Sequence, residues 1–389
     1  MNKFLAIGLI AGAGALMASC SKDASNSDFS QNAIEFGTYL GRDAQTKGKV
    51  TKGITKFGVL AYYTKGEDFN ATTSTPNFMY NQEVNGTEGG NWTYSPIKYW
   101  PTAVGDKISF FAYAPMVAKS NENFTLSDNT KTGTPTINVT YPADLTQMVD
   151  LVAGVAMNKT KAKGNATEDV VTFTLKHEMS RVGISAKVSE DVYKNDGTAN
   201  KTKVVITGIK FNNVTDGDFY TSGKYTFSTT DEGRGNWSDL TTGELNLSSI
   251  LKSGSVKMAN EKYSKDNAIA LENSTAVSLF KDDNYLFLIP AKNADGVAEN
   301  KTTVTISYDI VTEDANLSNG YSCTSATKTV YLPTGTLKQG VAYNYVFTIA
   351  VDKVVLSATV ENWTEPTTGN NINVPYTPDD ATNTTTPQA

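Results

Sequence analysis

The chain has 389 residues, 39% of them hydrophobic and 19% charged, with a formal net charge of −6 and only three arginines, Arg42, Arg181 and Arg234. That balance excludes nucleic-acid binding, which needs a basic face to displace counterions. At roughly 150 residues per domain the length predicts two folded domains. The wealth of Thr, Ser, Asn and Gly, with 19 Tyr and 16 Phe, predicts strands and turns in an all-β, extracellular protein.

Residues 1–19 read as a signal peptide: Lys3 supplies the positive end, Phe4 to Met17 the apolar stretch, and Ala18 and Ser19 the small residues. The apolar run is too short to span a bilayer. Leu16-Met17-Ala18-Ser19-Cys20 resembles a bacterial lipobox, although Met17 departs from the commoner Leu. The resemblance implies cleavage between Ser19 and Cys20 and diacylation of the Cys20 thiol, an anchor in the membrane. Residues 20–30 are small and polar and read as a tether. The other cysteine, Cys323, lies in a strand-like run and reads as a small buried thiol, so no disulfide is expected.

Period-2 alternation recurs along the body of the chain. Ile34, Phe36 and Leu40 share one face of a first strand, with Thr38 between them. Phe57 to Tyr63, Ile108 to Ala112, Val171 to Leu175, Ile184 to Val188, Val204 to Phe211, Tyr285 to Ile289, Val304 to Ile310, Thr327 to Leu332, Val341 to Val351 and Val354 to Val360 predict further strands. Turn-rich segments separate them, with Asn, Asp and Gly supplying the special φ values. Leu240–Lys257 and Ser264–Ser274 carry a faint helical signal. Many short strands with frequent turns point to sandwiches or barrels. The spacing divides the chain into an N-terminal sandwich at 31–180, a C-terminal one at 181–364, and a tail at 365–389 rich in Thr, Asn and Pro.

The segment NQEVNGTEGGNWTYSPIKYWPTAVGDKISFFAYAP at residues 81–115 resembles the fimbrillin-like lipoproteins of Bacteroidales. Phe173 to Val182, the early IEFGTYLGRDAQTKG and the late VENW are similar to further motifs of that family. The resemblance implies two tandem transthyretin-like β-sandwich domains and export as an outer-membrane lipoprotein to the cell surface. In polymerising members it also implies a trypsin-like maturation protease that cuts near the N-terminus. That cut removes the first strand and opens a groove, which a strand from another subunit fills. Here the strand carrying Ile34, Phe36 and Leu40 runs directly into Gly41-Arg42-Asp43. Arg42–Asp43 is the first candidate for the cut, with Lys47, Lys49 and Lys52 as alternatives. Losing the strand would expose an apolar trough and unpaired backbone, and a foreign strand would restore both. In the tail, Ile372, Val374 and Tyr376 alternate. That stretch reads either as a short donor strand, limited to an edge by Pro375, or as a disordered end.

Chemistry is sparse. His177 is the only histidine, which removes paired-histidine zinc sites. It reads as satisfying backbone groups near the domain junction. Ser325-Ala326-Thr327-Lys328, Ser127-Asp128-Asn129 and Lys131-Thr132-Gly133 mimic the motifs of penicillin-binding enzymes, but in the wrong order and, for the first, in a strand. No cofactor, metal or catalytic residue is implied. Trp92, Tyr94, Tyr99 and Trp100 read either as core fillers, the favoured reading, or as platforms for sugar rings. The sequence thus supports a fimbrial structural subunit that polymerises with other subunits and serves adhesion. The alternative is a non-polymerising surface lipoprotein that binds host glycan or protein.

Overall fold

The computed structural model describes residues 33–40, 54–87, 91–116, 122–161, 170–190, 192, 201–213, 218–231, 233–271, 274–291, 302–333, 335–350 and 353–361. Up to residue 177 the strands are β1 (Glu35–Leu40), β2 (Lys56–Lys65), β3 (Met79–Asn85), β4 (Lys107–Ala114), β5 (Phe124–Leu126), β6 (Thr136–Thr140), β7 (Val152–Lys159) and β8 (Val170–His177). They continue as β9 (Ser180–Val188), β10 (Thr202–Asn213), β11 (Tyr220–Thr226), β12 (Asn236–Thr242), β13 (Leu245–Asn246), β14 (Gly254–Lys257) and β15 (Ser264–Leu271). The last are β16 (Val277–Ser278), β17 (Leu286–Leu288), β18 (Thr302–Glu313), β19 (Tyr321–Tyr331), β20 (Ala342–Ile349) and β21 (Val354–Glu361).

Two pairs of sheets pack face to face. The first pair joins the sheet β1-β8-β7-β4-β2-β3 to the sheet β12-β11-β6-β5. Leu60, Tyr62, Phe111 and Tyr113 from one, and Ile137, Val139 and Tyr225 from the other, fill the space between them. The opposite face of the six-stranded sheet is also apolar. There Phe57, Val59, Phe110 and Phe173 lie under Trp92, Tyr94 and Trp100. Covered on both faces, β2 and β4 read as nearly continuous apolar runs, LAYY and ISFFAYA, rather than clean alternation. The second pair joins β16-β9-β20-β21 to β14-β15-β10-β18-β19. Ile184, Tyr345, Phe347 and Leu356 face Ile206, Phe211, Ile306 and Val330 across its core.

Every long strand expected from alternation is present, and the chain is all-β. Three expectations change. Ser264–Leu271 is strand β15 rather than a helical turn, because Val204 to Ile206 of β10 offers it a ladder. Residues 240–257 hold strands β13 and β14 and part of β12. Cys323 lies in β19 as expected but is exposed, since that strand ends its sheet and turns the thiol outward.

The two pairs of sheets are joined tightly. Strand β6 pairs antiparallel with β11 from Ser222↔Thr140 to Thr226↔Thr136, so one sheet draws on residues from both sides of position 180. Between β8 and β9 the chain carries buried polar groups. His177 Nδ1 lies 2.9 Å from the Asp150 carboxylate, both residues buried. The His177 carbonyl accepts from the Arg234 guanidinium, and the Glu178 carbonyl accepts from Trp237 Nε1 at 2.8 Å. The Glu178 side chain accepts from Gln339, while the Gly340 N–H donates to the Met179 carbonyl at 2.9 Å. Gly340 has φ +70°, a left-handed conformation that favours glycine, and a β-carbon there would sit 2.6 Å from the Arg234 guanidinium and force that side chain to shift.

Burial pushes the Glu178 carboxyl from about 4.5 up to about 8, against the pull of Arg234. A carboxyl raised on folding stabilises the protein fully below its unfolded value, and this contribution is lost as pH rises through about 8. Urea titrations should therefore show stability falling by a few kcal/mol between pH 5 and pH 8.5. Glu178→Gln, which fixes the neutral form, should flatten that slope.

Candidate functional site

The candidate site is the edge strand β1 with the groove beside it. Strand β1 runs parallel to β8 in a register from Glu35↔Val170 to Leu40↔Leu175. This ladder is the principal support of β8, because β7 pairs with β8 only at Val152↔His177 and Ala153↔Lys176. The alternation expected from the sequence sets the face: Ile34 and Phe36 are 1% and 5% exposed within the aromatic core. The Phe36 ring lies 5.2 Å from Tyr94, 5.9 Å from Phe173, 6.0 Å from Phe110 and 6.3 Å from Phe57. One side chain thus ties β1 to β2, β4, β8 and the 91–100 segment. Thr38 shares that face, and its buried hydroxyl has no hydrogen-bond partner.

The other edge of β1 meets the 91–100 segment. The Ile34 N–H donates to the Lys98 carbonyl at 2.9 Å, and the Tyr94 hydroxyl donates to the Ile34 carbonyl at 2.9 Å. Burial raises the pKa of that phenol and keeps it a donor. Strand alternation turns the backbone of Phe36 and Thr38 to the same side as Ile34. Among the described residues, neither finds a backbone partner there. They face an open groove of about 620 Å³, with Glu35, Phe36 and Thr38 on one wall and Trp92, Tyr94 and Ile97 on the other.

The aromatic quartet divides by place in this wall. Trp100 is buried under Phe110 as a core filler. Trp92 and Tyr94 are half-buried against the core, and Tyr99 is 45% exposed. Two residues beyond the expected set belong to the site. Ile97 is 53% exposed in the groove wall, and Val170 begins β8 at its floor. Ile97 breaks no local rule within the W-x-Y-x-P pattern, so nothing in the sequence marks it. Cys20 with the Ser19–Cys20 bond, the Arg42–Asp43 bond, Lys47, Lys49, Lys52, and Ile372, Val374 and Tyr376 lie outside the described residues, as does the Leu40 side chain.

Nothing in the arrangement resembles a reaction centre. Ser325 and Lys328 fall on opposite faces of β19 by strand alternation. Among the described residues, no three His, Cys, Asp or Glu side chains converge as a metal site. What the site offers is an edge strand that, among the described residues, pairs with β8 alone. Releasing β1 would expose Ile34, Phe36, Val171 and Phe173 and unpair β8, while the β7-β4-β2-β3 ladders stay intact. Phe36→Ala should cost about 3–5 kcal/mol of the local stability of β1. In hydrogen exchange the amides of residues 35–40 and 170–175 should speed up well before those of β2 and β4. Uniform acceleration across the sheet would contradict the separability of β1.

Comparison with known proteins follows this geometry. The family model described as fimbrillin-like matches residues 44–363. The fimbrium subunit Fim1C of Phocaeicola vulgatus is 30% identical over 337 residues, covering 83% of this chain and 86% of that protein. The crystal structure of a fimbrial protein from Bacteroides vulgatus superposes with a TM-score of 0.67 at 27% identity, covering 86% of this chain and 100% of that one. The chain therefore belongs to the fimbrillin-like family of structural fimbrial proteins and is not an enzyme.

Proposed function

We propose that this protein is a structural and adhesive subunit of a surface fimbria, joined to its neighbours by protease-triggered strand exchange. The observation that carries the reading is the β1–β8 ladder. An edge strand holds two core side chains and the first six residues of β8, and no other strand depends on it. A trypsin-like protease cutting between Arg42 and Asp43, or after Lys47, Lys49 or Lys52, would free β1 from the body. Val171, Phe173 and Leu175 of β8 would then line an apolar trough beside an unpaired strand edge. A strand with apolar residues at alternate positions, lent by another subunit, fills both needs at once. Ile372, Val374 and Tyr376 of the tail have that spacing.

The two transthyretin-like units are assigned as the segments 31–180 and 181–364, the second segment lending β11 and β12 to the first pair of sheets through the β6–β11 ladder. Cleavage at Ser19–Cys20 and diacylation of Cys20 would hold the subunit at the outer membrane, since two acyl chains anchor stably where one does not. A second reading, a non-polymerising lipoprotein that binds host glycan or protein, draws on the open groove with Trp92, Tyr94 and exposed Ile97. Aromatic walls of this kind suit sugar rings or an extended peptide.

N-terminal sequencing after trypsin-like treatment separates the two. The fimbrial reading expects a new start at Asp43, followed by ladders that resist mild denaturant, with Arg42→Gln moving the cut to a lysine or abolishing the ladder. An intact, monomeric chain after treatment favours the second reading. Separately, Cys20→Ser should abolish metabolic labelling with palmitate and release the protein from the membrane fraction.

A further inference from the structure

The sheet β14-β15-β10-β18-β19 ends on β19, and this edge is unlike most others in the molecule. Edge strands are usually blunted by brevity, bulges, proline or charge, because a free ladder invites another chain. Strands β3, β12 and β14 carry register shifts, and β5 and β16 span only Phe124–Leu126 and Val277–Ser278. Strand β19 has neither brevity, bulge nor proline, and only a single charge. It pairs with β18 in an unbroken register from Thr303↔Tyr331 to Glu313↔Tyr321. Its sequence YSCTSATKTVY contains no proline or glycine and one charge, Lys328. Most of its residues are exposed, and among the described residues no strand pairs with its outer edge.

The order of side chains along β19 says what fits that edge. Along one face, Tyr321, Cys323, Ser325, Thr327, Thr329 and Tyr331, the strand presents the same classes from either end, Tyr and then small thiol or hydroxyl groups, about Ala326; the other face breaks the symmetry, with Ser322 against Val330 and Thr324 against Lys328. We propose that β19 is a lateral self-association edge, pairing antiparallel with β19 of a second copy about a two-fold axis through Ala326. Such a contact is isologous, each copy offering the same patch to the other. It sets Tyr321 opposite Tyr331, Cys323 opposite Thr329, Ser325 opposite Thr327, and Thr324 opposite Lys328. Tyr–Tyr and hydroxyl pairs of this kind stabilise an antiparallel ladder, and no like charges stand opposite each other. The exposed hydroxyl ladder Thr305–Thr329 and Ser307–Thr327, at 2.8 and 3.2 Å, already crosses from β18 and would continue into the second copy. The aromatic ends fix a register that a uniformly polar strand would leave loose. One strand edge is small beside the roughly 1,000 Å² of a stable interface, so a single pair is weak. Repetition along two neighbouring fibres would make it strong. The contact uses neither β1 nor the groove, so it must form in the uncut chain, and its failure says nothing about strand exchange.

The test uses the uncut, full-length chain. Thr324 is exposed, so charges there leave the core alone. Thr324→Lys places two lysine pairs face to face and should weaken dimerisation roughly tenfold in sedimentation velocity, and Thr324→Glu should strengthen it by a similar factor. Thr329→Cys should yield a disulfide-linked dimer on mild oxidation, and Cys323→Ser in that background should abolish it. Charge variants of opposite sign that leave association unchanged or shift it the same way would overturn the proposal. So would a cross-link that survives without Cys323, or a monomer whose β19 amides are already protected, since that edge would then be covered by its own chain.

Discussion

The parallel ladder between β1 and β8 is the constraint on which the N-terminal architecture turns. Strand β8 begins at Val170, yet β7 reaches it only at Lys176 and His177. Its residues from Val170 to Leu175 are held by β1 on one edge and by the aromatic core on one face. The sheet therefore tolerates losing β1 in its ladders but not in its packing. Ile34 and Phe36 bury on the order of 2 kcal/mol each by transfer, and the vacated edge adds backbone groups that water alone must satisfy. A strand that is peripheral in connectivity and central in packing is the combination that exchange needs. A purely peripheral strand would leave nothing for a partner to restore, and one paired on both edges could not leave.

From the far end of β8 the constraint passes into the body of the molecule. His177, Glu178 and Arg234 close the gap between the sheet pairs, while β6 and β11 share a ladder. Buried polar groups at a joint are costly to leave unpaired, so breaking one partner of such a set costs more than the set contributes. Their effect here is on geometry. Guanidinium, indole and carboxamide groups each meet one carbonyl or carboxylate of the 177–179 segment, which leaves little freedom for one sandwich to swing against the other. In a fibre every subunit carries the load of its neighbours, so a hinge at this point would add compliance at every repeat. The network instead braces the joint between the two pairs of sheets.

Much of this was legible in the residues. Alternation over Ile34 to Leu40, Phe57 to Tyr63 and Val171 to Leu175 located the strands and the buried face of β1, because a period of two survives wherever one face meets a core. What escaped has physical reasons. The expected helical turn at Ser264–Ser274 is β15, whose first four residues are exposed and show no alternation, since beyond its short ladder with β10 that half is paired only with the largely exposed edge strand β14. Strand β12, with the sequence NWSDLTT, offers only Trp237 and Leu240 to the core, both half-buried, too few to show an alternation. The sheet shared by β6 and β11 joins residues about 85 positions apart, and no local pattern encodes such a pairing. The Asp150–His177 pair was hidden for the same reason. Cys323 looked buried because its neighbours alternate well, but position at the end of a sheet is a property of topology, not of sequence.

The unbroken edges β1 and β19 differ in their surroundings. On β1, Lys98 and Tyr94 already occupy the outer groups of Ile34, and a wall of aromatic side chains stands over the rest. A folded strand cannot approach such an edge side-on; only a single extended segment can thread the groove. On β19 no wall stands, and the side chains are short and hydroxylated, so another sheet can come alongside without displacing anything. Recessed edges select for inserted strands and open edges for docked sheets. As proposed, the first mode would join subunits with buried apolar contacts that leave slowly, and the second with solvated backbone pairs, strong only when repeated. A protein that builds long fibres gains from keeping the two modes on separate sandwiches, because a strand lent along the fibre then never competes with a neighbour lying beside it.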